Sequence, residues 1–205
     1  MRVIAGEYRS RRLESLPGID VRPTSDKLRE TLFNVLGPSI QGKAFIDAYA
    51  GSGAVGIEAI SRGARHVVLI EKNKQAAEVI RGNLSSLKIG REARLIQGNA
   101  SLHLGTLAAD IVFLDPPYPK EREYEASMEA LERNPPPLAI VQHSSRFAMK
   151  EQYGKLQRTR VLKQGENTLS FYRPNPEVVE ATSEASAEAV AEHPAAETAD
   201  SESPC

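Results

Sequence analysis

Residues 47–63 read "DAYAGSGAVGIEAISRG", with Gly51, Gly53 and Gly56 spaced as G-x-G-x-x-G. The stretch begins inside an apolar run, "AFIDAY" (44–49), and continues into a helical pattern. Glycines at this spacing allow a tight strand-to-helix turn and a close approach of backbone to a ligand. The next apolar run, "HVVLIE" (66–71), ends on Glu71, 20 residues after Gly51. That is where an acid holds the ribose hydroxyls of a nucleoside cofactor. Together these features predict a nucleoside-containing cofactor at the carboxyl ends of parallel strands. They leave its identity open, since nicotinamide dinucleotides and S-adenosylmethionine are both held in this way.

Outward from this loop, short apolar runs alternate with helical patterns, which marks a parallel sheet covered by helices. Strands are expected at 44–49, 66–71, 93–98, 110–115 and 138–143, and helices at 54–63, 73–88, near 100–107 and at 122–133. "LQRTRVLKQGENTLSFYR" (156–173) is two strand-like runs around a turn, so an antiparallel pair should finish the sheet. Before the sheet, "SDKLRETLFNVLG" (25–37) reads as an amphipathic helix stopped by Gly37. The first 16 residues suit a small hairpin or arm. "IQGNA" ends the third strand, where Asn99 offers either a turn or a hydrogen bond to an adenine edge.

The last 31 of the 205 residues are Ala, Glu, Ser, Thr and Pro-rich, without Lys, Arg or an aromatic ring, and should be disordered. That tail carries eight acids, so residues 1–174 hold 26 basic and 19 acidic side chains, a balance of +7. A basic domain suits a phosphate-rich partner. The only cysteine is Cys205, which excludes an intrachain disulfide and a cysteine metal cluster. His66, His103, His143 and His193 are scattered, so no metal site is expected. The N-terminus lacks the apolar core of a secretion signal and no run approaches membrane-spanning length, so a cytoplasmic protein with no membrane partner is expected. The expected organisation is a basic arm and helix (1–42), a cofactor-binding domain (43–174) and an acidic tail (175–205).

"IVFLDPPYPK" (111–120) ends the fourth strand on an acid, two prolines and an aromatic ring. An exocyclic amine on a nucleobase is a poor nucleophile, because its lone pair is delocalised into the ring. Asp115 and the carbonyl of Pro116 can accept hydrogen bonds from such an NH₂ and aim its lone pair at an electrophilic methyl. Pro117 stiffens the turn, and Tyr118 can stack on a base drawn out of its helix. Beside a glycine loop, this combination points to methyl transfer, because hydride transfer has no use for an amine-acceptor pair.

"RPTSDKLRETLFNVL", "DAYAGSGAVGIEAISRGA", "IEKN" and "LDPPY", in this order, resemble the bacterial RsmD-like family of small-subunit ribosomal RNA (guanine-N2)-methyltransferases over about residues 1–174. The resemblance implies an α/β, Rossmann-like class I S-adenosylmethionine-dependent fold, with a seven-stranded sheet whose last strand is antiparallel. It implies methylation of one guanine amine of 16S rRNA, at position 966, within a partly or fully assembled small subunit. Asp47, Gly51 and Gly53 would surround the methionine part of the cofactor, Glu71 the ribose, and Asn99 with Ala100 the adenine, with Ala50, Ser52 and Lys72 as further cofactor-binding candidates. Asp115, Pro116, Pro117 and Tyr118 would hold the guanine. Tyr49 stands where Phe is common and Gln142 where Glu is frequent, which leaves in doubt an acidic role on the fifth strand.

Two basic segments are candidate RNA contacts: Arg9, Arg11 and Arg12 on the arm, and Arg22, Lys27 and Arg29 before the sheet. The expectation is a monomeric rRNA methyltransferase acting by direct in-line transfer. Its rivals are a DNA adenine- or cytosine-amine methyltransferase, a NAD-dependent oxidoreductase, which leaves "DPPY" unexplained, and a non-catalytic RNA-binding assembly factor.

Overall fold

The computed structural model describes residues 1–15, 26–117 and 121–178. The chain divides into two units, Met1–Pro174 and Asn175–Cys205, and the first contains the sheet. The expected loose tail lies almost wholly outside the described residues.

Eight strands form one sheet: β1 (Ala44–Asp47), β2 (His66–Glu71), β3 (Ala93–Gln97), β4 (Ile111–Leu114), β5 (Leu138–Ser144), β6 (Gln152–Tyr153), β7 (Leu156–Gln164) and β8 (Asn167–Pro174). Their order is β3-β2-β1-β4-β5-β8-β7-β6. The first five run parallel, and β8 inserts antiparallel between β5 and β7. The resemblance implied seven strands; the eighth is the two-residue edge strand β6, too short to carry an alternation in the sequence. The β7–β8 hairpin turns through Gly165 at φ +61° and Glu166, matching a two-residue turn with glycine at its first central position.

All four residues of β4 and the first six of β5 are buried, as expected of central strands covered on both faces. On one face lie α1 (Asp26–Leu36), α2 (Ala54–Ser61) and α3 (Lys74–Ser86), joined by Val3 and Leu13 of the N-terminal arm around Phe45, Leu69 and Phe113. On the other lie α4 (Ala100–Leu104) and α5 (Glu121–Glu132), packing Leu104, Tyr124, Met128 and Leu131 against Val112 and Val141. The expected helices all form, mostly within a residue or two of the expected ends; α4 is a single turn and a half.

The arm is a hairpin. Val3 N–H donates to Arg11 O at 3.0 Å, Ser10 N–H to Val3 O at 2.9 Å and Leu13 N–H to Met1 O at 3.0 Å. Two side chains of α2 clamp it. Glu58, fully buried, accepts from Ile4 N–H at 2.8 Å and Ala5 N–H at 3.0 Å, and Ser61 accepts from Tyr8 N–H at 3.0 Å. Gly6 has φ +82°, and a Cβ there would lie 1.8 Å from Ser61 O, so only glycine allows this approach.

The strand order reverses between β1 and β4. In open α/β sheets ligands bind at such a reversal, beyond the carboxyl ends of the strands.

Candidate active site

A cavity of about 320 Å³ opens at that reversal. Asp47, Ala50, Gly51 and Ser52 after β1, Glu71 and Lys72 after β2, Ala100 at the start of α4, and Asp115 and Pro117 after β4 all line it. The two motifs separated in sequence therefore meet at one cavity.

The loop after β1 is held by its own N–H groups. Gly51 N–H donates to Glu71 Oε2 at 2.8 Å, Gly53 N–H to Ala50 O at 2.7 Å, and Gly56 N–H to Asp47 Oδ2 at 2.8 Å. Glu71 Oε1 also accepts from Asn73 N–H at 2.7 Å, so its carboxylate joins the loop to the end of β2. Gly51 at φ +55° has open space around it and is required by conformation alone. A Cβ on Gly56 would come within 2.8 Å of Leu69, so this glycine lets α2 lie close on β2.

The electrostatics discriminate between ligands. The Asp47 carboxyl is pushed up to about 7, first by burial, partly opposed by the Gly56 N–H, and further by the negative charges of Asp115 and Glu71. Three carboxylates thus act on one small cavity. A pyrophosphate favours the positive N-terminal end of the helix after the glycine loop, yet Asp47 already accepts from an N–H in the first turn of that helix, α2. The residues fit a cationic ligand bearing hydroxyls and disfavour an anionic dinucleotide.

Tyr49 lines the cavity, and its hydroxyl bonds Ser127 Oγ at 2.6 Å and donates to Glu123 Oε2 at 3.2 Å. Burial pushes its pKa up to about 12, so it stays protonated. Glu123 Oε1 also accepts from Lys72 Nζ at 3.3 Å. The first turn of α5, just after the acceptor loop, is thereby tied to both cavity walls.

Other expected site residues are placed differently. Gly53, at φ +80°, shapes the turn behind the cavity lining. Asn99 is exposed and caps α4, its Oδ1 accepting from Ser101 N–H at 3.4 Å, while Gly98 and Ala100 line the cavity. Pro116 is buried between the two lining residues of its loop. Tyr118 and Arg22 lie outside the described residues. Gln142 is 3% exposed, and its Oε1 has no hydrogen-bond partner among the described residues.

The candidate RNA contacts separate. Arg9 and Lys27 are exposed and share a groove with Arg2. Arg11 and Arg12 are exposed on the α3 side, where Arg11 Nη2 donates to Ser86 O at 3.3 Å. Arg29 is a correction: it is fully buried, donating to Arg2 O and paired with Asp26 at 3.0 Å and Glu58 at 3.9 Å. It stands in the stripe of Phe33 and Leu36, so helical phase turns it inward, where it holds the arm and is closed to RNA.

Sequence reasoning missed Met1 and Ser15 in the cavity wall, and missed Glu58 and Asn83, which hold the arm. A polar residue on the apolar stripe of a helix was the available signal, since Asn83 continues Ala76, Ala77 and Ile80. Among the described residues no group of three or more His, Cys, Asp or Glu side chains is arranged to hold a metal ion, and no helix is long and apolar enough to cross a membrane.

Strand order, glycine loop and cavity define a Rossmann-like methyltransferase fold. Among the solved structures that share it are "Putative methyltransferase yhhF" of Escherichia coli, with TM-score 0.75, 33% identity and coverage of 85% of this chain and 98% of that one, and "putative methylase HI0767" of Haemophilus influenzae, with TM-score 0.69, 30% identity and the same coverage. The chain belongs to the family described as Conserved hypothetical protein 95, whose model matches residues 1–173, and the RsmD-like resemblance is borne out. It is 40% identical to "Ribosomal RNA small subunit methyltransferase D" of Escherichia coli over 65% of this chain and 68% of that protein. It is 31% identical to "Putative rRNA methyltransferase YlbH" of Bacillus subtilis over 84% of this chain and 98% of that protein.

Proposed function

We propose that this protein transfers a methyl group from S-adenosylmethionine to the exocyclic N2 amine of a guanine in 16S rRNA, the guanine at position 966, on a partly or fully assembled small subunit. The observation that carries the reading is that Asp115 and Pro117 border the same cavity as Asp47, Gly51 and Glu71. An amine held by the acceptor loop would lie next to whatever the glycine loop holds. The names of the relatives support rRNA as the substrate, and the exposed Arg9, Arg11, Arg12 and Lys27 supply cations for its phosphates.

When bound, the cofactor supplies an electrophilic methyl on a sulfonium cation. Asp47, Glu71 and Asp115 would favour that positive charge, and Glu71 would hold the ribose hydroxyls. Asp115 and the Pro116 carbonyl would accept hydrogen bonds from the two amine N–H groups, turning the lone pair toward the methyl, and Asp115 would take the proton that leaves. Tyr118 is proposed to stack on the base. No metal or covalent enzyme intermediate is needed, and positioning alone can supply roughly 7–11 kcal/mol when reacting atoms are aligned. An oxidoreductase is disfavoured by the three carboxylates, and a DNA amine methyltransferase by the names of the relatives.

The test is to incubate the full chain with methyl-tritiated S-adenosylmethionine and separately with 16S rRNA, small subunits and DNA, then map the label by nuclease digestion and mass spectrometry. Label on the N2 amine of one rRNA guanine is expected. Label on DNA, on a ring nitrogen or on many nucleotides would overturn the reading.

A further inference from the structure

Asn83 sits in the last turn of α3 and is 2% exposed. Its Oδ1 accepts from Glu14 N–H at 2.8 Å, and its Nδ2 donates to Glu14 O at 3.1 Å and to Ser52 O at 2.9 Å. One planar amide therefore grips the arm by both backbone groups of Glu14 and the glycine loop by the carbonyl of Ser52. A carboxamide is suited to this, having an acceptor and two donors in one plane.

The two ends of the arm are part of the cavity: Met1 and Ser15 line it, and the Met1 sulfur lies 3.5 Å from Ser52 Oγ. The other end of the same hairpin carries the exposed Arg9 and Arg11 around Ser10, a non-glycine residue at φ +67°. The hairpin's cross-strand hydrogen bonds make these ends one unit. The hairpin therefore moves as one body, so a ligand that shifts its turn also shifts Met1 and Ser15 at the cavity and, through the Asn83 amide, the Ser52 carbonyl.

We infer that Asn83 is a positioning residue that joins the RNA-facing arm to the cofactor-receiving loop, so that RNA and cofactor bind cooperatively through it. The inference rests on the function proposed above. Asn83 touches neither reactant; it fixes the shared wall.

The experiment uses S-adenosylhomocysteine, which cannot react, and unmethylated 16S rRNA with the full chain, measured by calorimetry and filter binding. In the parent, RNA should tighten S-adenosylhomocysteine by about fivefold or more, and S-adenosylhomocysteine should tighten RNA by the same factor, as linkage requires. Asn83→Asp keeps the acceptor for Glu14 N–H and removes both donations. It should weaken S-adenosylhomocysteine alone by roughly tenfold, the scale of one lost hydrogen bond with a carbonyl left unpaired. It should leave RNA affinity alone unchanged and bring the coupling factor to one. Asn83→Ala should do the same. Variants that lose thermal stability yet keep the parent's coupling factor would overturn the inference, as would a parent that binds both ligands independently. A parent that binds neither would overturn the proposed function, and this inference with it.

Discussion

The two loops that meet at the cavity are built in opposite ways. The loop after β1 is rich in glycine and N–H groups, and Gly51, Gly53 and Gly56 each donate to a partner within the protein. The loop after β4 begins with Asp115 and has two prolines, which have no N–H and a fixed φ. The first takes its shape from carboxylates that gather its donors. The second is rigid by covalent structure and presents acceptors only. The first suits holding a ligand that arrives with positive charge and hydroxyls; the second suits an amine that must be aimed. Damage to the first should appear as lost affinity, and damage to the second as lost turnover.

The largest effect expected from this contrast is at Asp115. Asp115→Ala should lower turnover by roughly 10²–10⁴-fold, the scale for a positioned group that handles a proton, with cofactor affinity nearly unchanged. Steady-state kinetics beside calorimetry separates the two quantities, and near-normal turnover would remove the acceptor loop from the chemistry.

Glu71→Ala should behave in the reverse sense, weakening S-adenosylmethionine by about 1.5–3 kcal/mol, the scale of a charge-assisted hydrogen bond. Its carboxylate also holds the N–H groups of Gly51 and Asn73, so loop order would be lost together with the proposed ribose contact. Unchanged affinity by calorimetry would erase the distinction between the loops.

A smaller effect concerns pH. Because the Asp47 carboxyl is raised from its ordinary 3.8 to about 7 by burial, the fold binds a proton there that the unfolded chain has released. The stability this gives is full below about pH 4 and is lost as pH rises through 7. A bound sulfonium favours the ionised form, so cofactor binding should release a proton and tighten with pH across that upper window. Asn at position 47 keeps an acceptor for Gly56 and has nothing to titrate. Asp47→Asn should flatten both profiles, and melting curves and calorimetry in two buffers of different ionisation heat would show whether it does.

Both loops were legible in the sequence because each needs residues whose backbone behaviour is unusual. Glycine at positive φ and proline without an N–H leave marks that do not depend on partners far along the chain. The sheet was legible for a similar reason, since strands buried on both faces read as unbroken apolar runs. The arm's anchoring was hidden. Glu58 and Asn83 accept from backbone N–H groups 53 to 69 residues away, and a backbone donor carries no sequence signature. Arg29 misled because a charge suggests surface, whereas its helical phase places it with Phe33 and Leu36; the phase was the better guide. Asn99 caps α4 through its Oδ1, which is the turn role its sequence context also offered.

The central claim is that the acceptor loop presents an exocyclic guanine amine to the cofactor. Replacing the target guanosine by inosine in reconstituted small-subunit RNA removes only that amine and leaves the rest of the base and its phosphates in place. With tritiated S-adenosylmethionine, the guanosine particle should take up one methyl per RNA and the inosine particle none, although both bind the protein equally. Methyl uptake by the inosine particle at the guanosine rate would place the transfer on another atom and contradict the account.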